Sequence, residues 1–155
     1  MFSLEGKNSI VTGGGSGIGR AIAEALATQG AVVDILEVNL DGAAETISAI
    51  EAAGGTAAAH ECDVTDQATT LAVFEKIVGE RERLDCLINN AGVTRDNLAM
   101  RMKDEEWQSV LDINLTAGFR LSRAALRPML KQRWGRIIGI TSVVGVTGNP
   151  GQANY

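Results

Sequence analysis

Five glycines crowd one junction: Thr12-Gly13-Gly14-Gly15-Ser16-Gly17-Ile18-Gly19 follows a short apolar run and opens a segment of helical period. A strand feeding a helix through such a turn constrains the fold more than any other stretch. Glycine lets backbone approach a phosphate closely, and the first helical turn offers that anion unpaired N–H groups and a positive dipole end. The junction therefore predicts a pyrophosphate site of a dinucleotide, formed by Gly13, Ser16, Gly17, Ile18 and Gly19. A plain tight turn is the competing reading, and it leaves the crowding of glycines unexplained.

Apolar runs and helix-period segments alternate along the whole chain. Residues 9–11 read as a strand. The helix after the glycines has Ile18, Ile22, Ala25 and Leu26 on one face and stops at Gly30. Residues 31–36 form the next strand, and 43–53 a helix closed by Gly54-Gly55. After a strand at 56–62, Asp63 to Asp66 carry N-cap chemistry for a helix at 68–82, with Leu71, Phe74, Ile77 and Val78 inward. Strands at 84–88 and 136–141 flank a helical stretch over 103–132, whose packed face is read as Trp107, Val110, Leu111, Leu115, Phe119, Leu126 and Leu130. The order predicts an α/β, Rossmann-type, doubly wound parallel sheet of about five strands. Residues 1–155 form one domain, with the ligand crevice at the carboxyl ends of the strands.

Glu37 ends the second strand 18 residues after Gly19. An acidic side chain there accepts hydrogen bonds from the adenosine ribose hydroxyls and repels a 2′-phosphate. Ser16 puts no arginine in the turn, so NAD(H) is expected over NADP(H). Asp34 is a rival for the ribose, but its mid-strand position fits a polar contact to a helix.

All 19 acidic residues lie at or before Asp112 with eight of the 14 basic ones, so residues 1–112 carry −11 and residues 113–155 carry +6. An acidic partner docking on the later stretch and a solvated helix face are both open readings. Nucleic acid is excluded by the acidic bulk and by basic residues without interleaved aromatics. Cys62 and Cys86 lack metal-ligand spacing and read as buried thiols, so no metal site is expected. His60, the single histidine, reads as a partly exposed strand residue. With no leader-like N-terminus and no apolar run near the roughly 20 residues of a membrane span, a cytoplasmic protein is expected.

Together the glycine turn, Asp63-Val64, Asn89-Asn90-Ala91-Gly92, Asn114, Ser142 and Tyr155 resemble the short-chain dehydrogenase/reductase family across the entire chain. Residues 92–102 and 148–155 are most similar to its 3-oxoacyl-[acyl-carrier-protein] reductases. The resemblance implies an NAD(P)(H)-dependent interconversion of a carbonyl and a secondary alcohol. It assigns Asp63 and Val64 to the adenine edge, and Asn90, Ala91 and Gly92 to the cofactor ribose and the end of strand four. Asn114 would hold a relay water, Ser142 would orient the substrate oxygen, and Tyr155 would be the acid/base. Taken singly, Ser142 also reads as a strand-end hydroxyl, Asn114 as a helix-interior amide and Tyr155 as a terminal aromatic.

The family places a lysine four residues beyond that tyrosine, a position outside the 155 residues. A free phenol titrates near roughly 10, and a neighbouring cation lowers that value. The chain is therefore expected to be a fragment of a longer protein, with low activity alone and an uncovered face on its fifth strand. The resemblance also implies a homo-oligomer, a tetramer in the intact family, and acyl carrier protein as a partner for the basic stretch. Another hydroxyacid, a steroid or a sugar alcohol is the alternative substrate, and an inactive dinucleotide-binding module is the alternative of another class.

Overall fold

A computed structural model describes residues 3–155. Five strands, β1 (Asn8–Thr12), β2 (Val32–Glu37), β3 (Thr56–Glu61), β4 (Cys86–Asn89) and β5 (Arg136–Gly139), form one sheet in the order β3-β2-β1-β4-β5, with every pairing parallel. Between them run α1 (Gly17–Thr28), α2 (Leu40–Ala52) and α3 (Gln67–Arg81). A long helical stretch follows, made of α4 (Asp104–Leu111), a π-turn (Asp112–Thr116) and α5 (Ala117–Lys131). A single short turn of helix, α6 (Val144–Thr147), follows β5. This is the doubly wound architecture predicted from the alternation of elements.

Alternation along the central strands builds a core on each side of the sheet. Val11, Val33, Ile35 and Ile88 point toward Ala23 and Ala27 of α1 and Ile50 of α2. Ile10, Leu36 and Leu87 point the other way, toward Phe74 and Ile77 of α3 and Leu121 and Ala125 of α5. The chain crosses from one side to the other between β3 and β4, and β4 returns beside β1. That reversal opens a crevice past the carboxyl ends of β1 and β4.

Two predicted helix faces need correction. In α1 the inward residues are Ala23 and Ala27, helped by Ile22 and Leu26, whereas Ile18 and Ala25 are exposed. Small residues let this helix lie close to the sheet. In the 104–131 stretch the buried row is Val110, Ala117, Leu121, Ala125 and Met129. Of the expected set only Val110 is buried; Leu111 is half-buried, and Trp107, Leu115, Phe119, Leu126 and Leu130 are exposed. The buried row steps 7, 4, 4 and 4 residues on from Val110, an ordinary helical period, while the expected set followed the larger apolar side chains of the neighbouring face. Those side chains form a second apolar stripe on the outer side. β5 is exposed along its length, with Ile137 and Ile138 open to solvent.

Two buried carboxylates tie the amino-terminal half of the sheet together. Asp34 of β2 accepts from Nε and Nη2 of Arg81, at the end of α3, at 3.0 and 3.1 Å, and its Oδ1 lies 2.8 Å from Nε2 of His60 in β3. It is the helix contact anticipated for a polar residue at mid-strand, and His60 is half-buried against it. Asp85 accepts the Asn8 N–H at 2.9 Å and a bidentate pair of bonds from Arg83. Cys62 is buried with Sγ 3.4 Å from Thr70 Oγ1, and burial pushes the half-buried Cys86 thiol up to about 11. Among the described residues no helix is long and apolar enough to cross a membrane.

Candidate active site

The glycine turn begins with Gly13 at φ +67° and Gly17 at φ +51°, a region that disfavours side chains. A Cβ on Gly17 would meet nothing within 4 Å, so its outer side is open space. Gly19 has the opposite reason to be glycine: a Cβ there would sit 2.1 Å from the Gly13 carbonyl oxygen and 2.5 Å from Nδ2 of Asn90. Gly19→Ala must push the turn off the end of β4, and is expected to cost about 2 kcal/mol. A denaturant titration checks this; an unchanged midpoint would show that the turn gives way freely.

Helix α1 starts without a side-chain cap and without an acidic residue in its first turn. α2 and α3 are capped by Asn39 and Asp66. The first N–H groups of α1 thus keep their hydrogen-bonding capacity toward the crevice, where an anion fits their charge. Glu37 stands across from them. Its Oε2 accepts the Gly15 N–H at 2.9 Å, and its Oε1 those of Val38 and Asn39 at 3.0 and 3.2 Å. Three backbone donors therefore hold one carboxylate at the mouth of the crevice. Arg20, just past the turn, is committed elsewhere: its guanidinium bonds the Gly15 and Gly42 carbonyls, Thr46 and Glu45.

The box after β4 is stitched to the turn. Thr12 Oγ1 donates to the Ile88 carbonyl and accepts the N–H groups of Asn90 and Ala91, while Asn90 Nδ2 donates to the carbonyls of Thr12 and Gly13. The Asn90 amide is thus spent on framework bonds. Thr12 and Arg20 are structural parts of the site that the sequence reading passed over; Thr12 stood in the quoted motif, and nothing in the pattern foretold the reach of Arg20. Gly13, Ser16, Gly17, Ile18, Gly19, Glu37, Asp63, Val64, Asn90, Ala91 and Gly92 all line one cavity of about 440 Å³. Asp63 is exposed there with Oδ1 bonded by Thr65, and Val64 is buried in the core behind it.

A second cavity, of about 730 Å³, shares Ile18, Val64, Asn90, Ala91 and Gly92 with the first and continues it over the end of β5. Asn114, Ser142 and Tyr155 line this part together. Asn114 lies in the π-turn, and its side chain is bonded twice to Val93, accepting the N–H at 2.8 Å and donating to the carbonyl at 2.9 Å. Ser142 Oγ accepts the Val144 N–H at 3.2 Å at the start of α6. Tyr155 is 41% exposed, its peptide N–H bonded to the Gln152 carbonyl.

A family model for short chain dehydrogenases matches residues 7–155. The chain belongs to the short-chain dehydrogenase family. The 3-oxoacyl-[acyl-carrier-protein] reductase FabG of Escherichia coli (strain K12) is 52% identical to it over 154 residues, which is 99% of this chain and 62% of that protein. Nodulation protein G of a Rhizobium species is 45% identical over 155 residues, again 62% of its length. The chain therefore spans about 62% of the length of these curated relatives. Among solved structures, a putative short-chain alcohol dehydrogenase from Sinorhizobium meliloti 1021 matches with a TM-score of 0.94 at 33% identity, covering 99% of this chain and 61% of that one. An NAD+-bound xylitol dehydrogenase matches with 0.93 at 32% identity, covering 97% and 58%.

Proposed function

We propose that this short-chain dehydrogenase chain carries the dinucleotide site and part of the catalytic site of an oxidoreductase that interconverts a 3-oxoacyl thioester, borne on acyl carrier protein, and its secondary alcohol. The carrying observation is the continuous crevice. It joins the uncapped start of α1 and Glu37 at one end to Asn114, Ser142 and Tyr155 at the other. The thioester substrate rests on the 52% identity to the reductase.

The residues fit a dinucleotide. The open outer side of Gly17 and the free N–H groups of α1 suit its pyrophosphate, and Glu37 suits an adenosine ribose. When bound, this group supplies hydride to a carbonyl carbon, or takes it from an alcohol. Tyr155 gives the proton to the developing alkoxide, or removes it in reverse, and Ser142 holds the same oxygen by its hydroxyl. Asn114 keeps the π-turn and the Val93 loop together around the relay.

NAD(H) is favoured over NADP(H), because the Glu37 carboxylate would repel a 2′-phosphate and the Arg20 guanidinium is engaged by Gly15, Gly42, Thr46 and Glu45. Fluorescence titration is expected to show NADH binding at least about tenfold tighter than NADPH, the equivalent of about 1.4 kcal/mol. Glu37→Gln should narrow that gap, and tighter binding of NADPH by the unaltered protein would refute the assignment. The outer apolar stripe of Leu115, Phe119, Leu126 and Leu130 supports self-association, and the basic residues from Arg120 to Arg136 support docking of an acidic carrier. NADH oxidation by a 3-oxoacyl thioester tests the reaction. A protein that binds NADH and reduces no ketone would be a dinucleotide-binding module instead.

A further inference from the structure

From Lys131 to Tyr155 one residue alone is buried, and it is polar: Asn154 is 5% exposed. The segment leading to it is open to solvent, turning at Gly148 and Gly151 with φ of +70° and +84°. Asn154 uses both amide hydrogens. Nδ2 donates to the Arg95 carbonyl at 2.9 Å and to the Glu106 carbonyl, in the first turn of α4, at 3.2 Å. Its Oδ1 is buried without a partner. Burial of an amide in this state is unfavourable unless the donor bonds hold something in place.

Neighbouring bonds belong to the same clasp. The Asn97 N–H donates to the Gly151 carbonyl at 2.9 Å, and Gln152 Nε2 donates to both carboxylate oxygens of Asp96 at 3.1 Å. Glu106 Oε2 accepts the Lys103 N–H at 2.8 Å and Asn97 Nδ2 at 3.1 Å. The loop after β4, the first turn of α4 and residues 151–154 are thereby one bonded unit. Tyr155 comes next in the chain, and its hydroxyl has no hydrogen bond among the described residues.

We infer that Asn154 is a positioning residue, which sets the phenol of Tyr155 in the crevice by tying the segment before it to the Arg95 and Glu106 carbonyls. The inference rests on the reading of Tyr155 as the acid/base. A displacement of about 1 Å in a reacting group lowers a rate about a hundredfold. The glycine turn and Glu37 belong to other elements, so cofactor affinity stays with them.

The test compares four variants of the intact protein in NADH-dependent ketone reduction, with NADH binding read by fluorescence and folding by thermal melting. Asn154→Asp keeps the shape of the side chain and removes both donors. It is expected to lower kcat about 30-fold with KM for the ketone and the NADH Kd within about threefold. Gln152→Glu opposes Asp96 with a like charge at the exposed end of the clasp, where the fold is safe. It should lower kcat about fivefold, and adding Asp96→Asn, which restores an amide–carboxylate pair, should recover it. Tyr155→Phe separates the two failures. Turnover surviving in Tyr155→Phe sinks the acid/base reading and this inference with it. Turnover lost in Tyr155→Phe but unchanged in Asn154→Asp and Gln152→Glu overturns the inference alone. Should Asn154→Asp not fold, the Gln152→Glu pair decides: kcat loss with recovery supports the clasp, and no loss, or loss of NADH binding in parallel, overturns it.

Discussion

Replacing Tyr155 by Phe is expected to lower ketone reduction by the intact protein about a thousandfold while leaving NADH binding and thermal unfolding unchanged. The expectation follows from where the phenol stands. The residue is 41% exposed and lines the larger cavity with Asn114 and Ser142, and its hydroxyl has no hydrogen bond among the described residues. Removing one oxygen therefore leaves packing alone and, on the proposed reading of Tyr155, takes away the proton donor for the developing alkoxide. The effect should fall on kcat more than on KM, since a proton in flight belongs to the transition state. Single-turnover rates with saturating NADH would separate this from product release. A loss below tenfold would hand the proton to another group and require a different assignment for Tyr155.

Legibility in the sequence followed the range of the interactions. The glycine turn, the succession of strands and helices and the carboxylate at the end of β2 were readable because each depends on neighbours in sequence: glycine spacing, apolar alternation, the offset from Gly19 to Glu37. The outer stripe of the 104–131 stretch was misread because its large apolar side chains outweigh the small Ala117 and Ala125 that face the sheet, and side-chain size does not say which of two apolar faces is covered. Long-range side-chain bonds were equally silent. Arg20 reaching α2, Asn90 spent on the glycine turn and Asn154 gripping two carbonyls are set by tertiary packing of segments up to 78 residues apart. Resemblance supplied Asn114, Ser142 and Tyr155 as a group; their single residue types fit bland roles equally well, and the fold brings all three to one cavity.

Arg81→Met is expected to destabilise the fold by about 3 kcal/mol at neutral pH, and by progressively less as the solution is acidified. Asp34 is 1% exposed, and burial alone would push its carboxyl up. Hydrogen bonds from His60 and Arg81, with their charges, outweigh that and hold it below the ordinary carboxylate value. A depressed carboxyl contributes stability that is complete above its unfolded value, roughly 3.9, and is lost as pH falls through the lower folded value. Methionine keeps the aliphatic stem of Arg81 but removes the bidentate donor, so desolvation dominates and Asp34 must bury its charge against His60 alone or take up a proton. The protonated carboxyl has little need of a guanidinium. Unfolding midpoints of the two proteins should therefore differ most near pH 7 and converge toward pH 4, where the variant has already neutralised Asp34 and the parent is beginning to lose its advantage. A gap that stays constant across that range would mean that Arg81 acts through the packing of its side chain, not through the charge on Asp34.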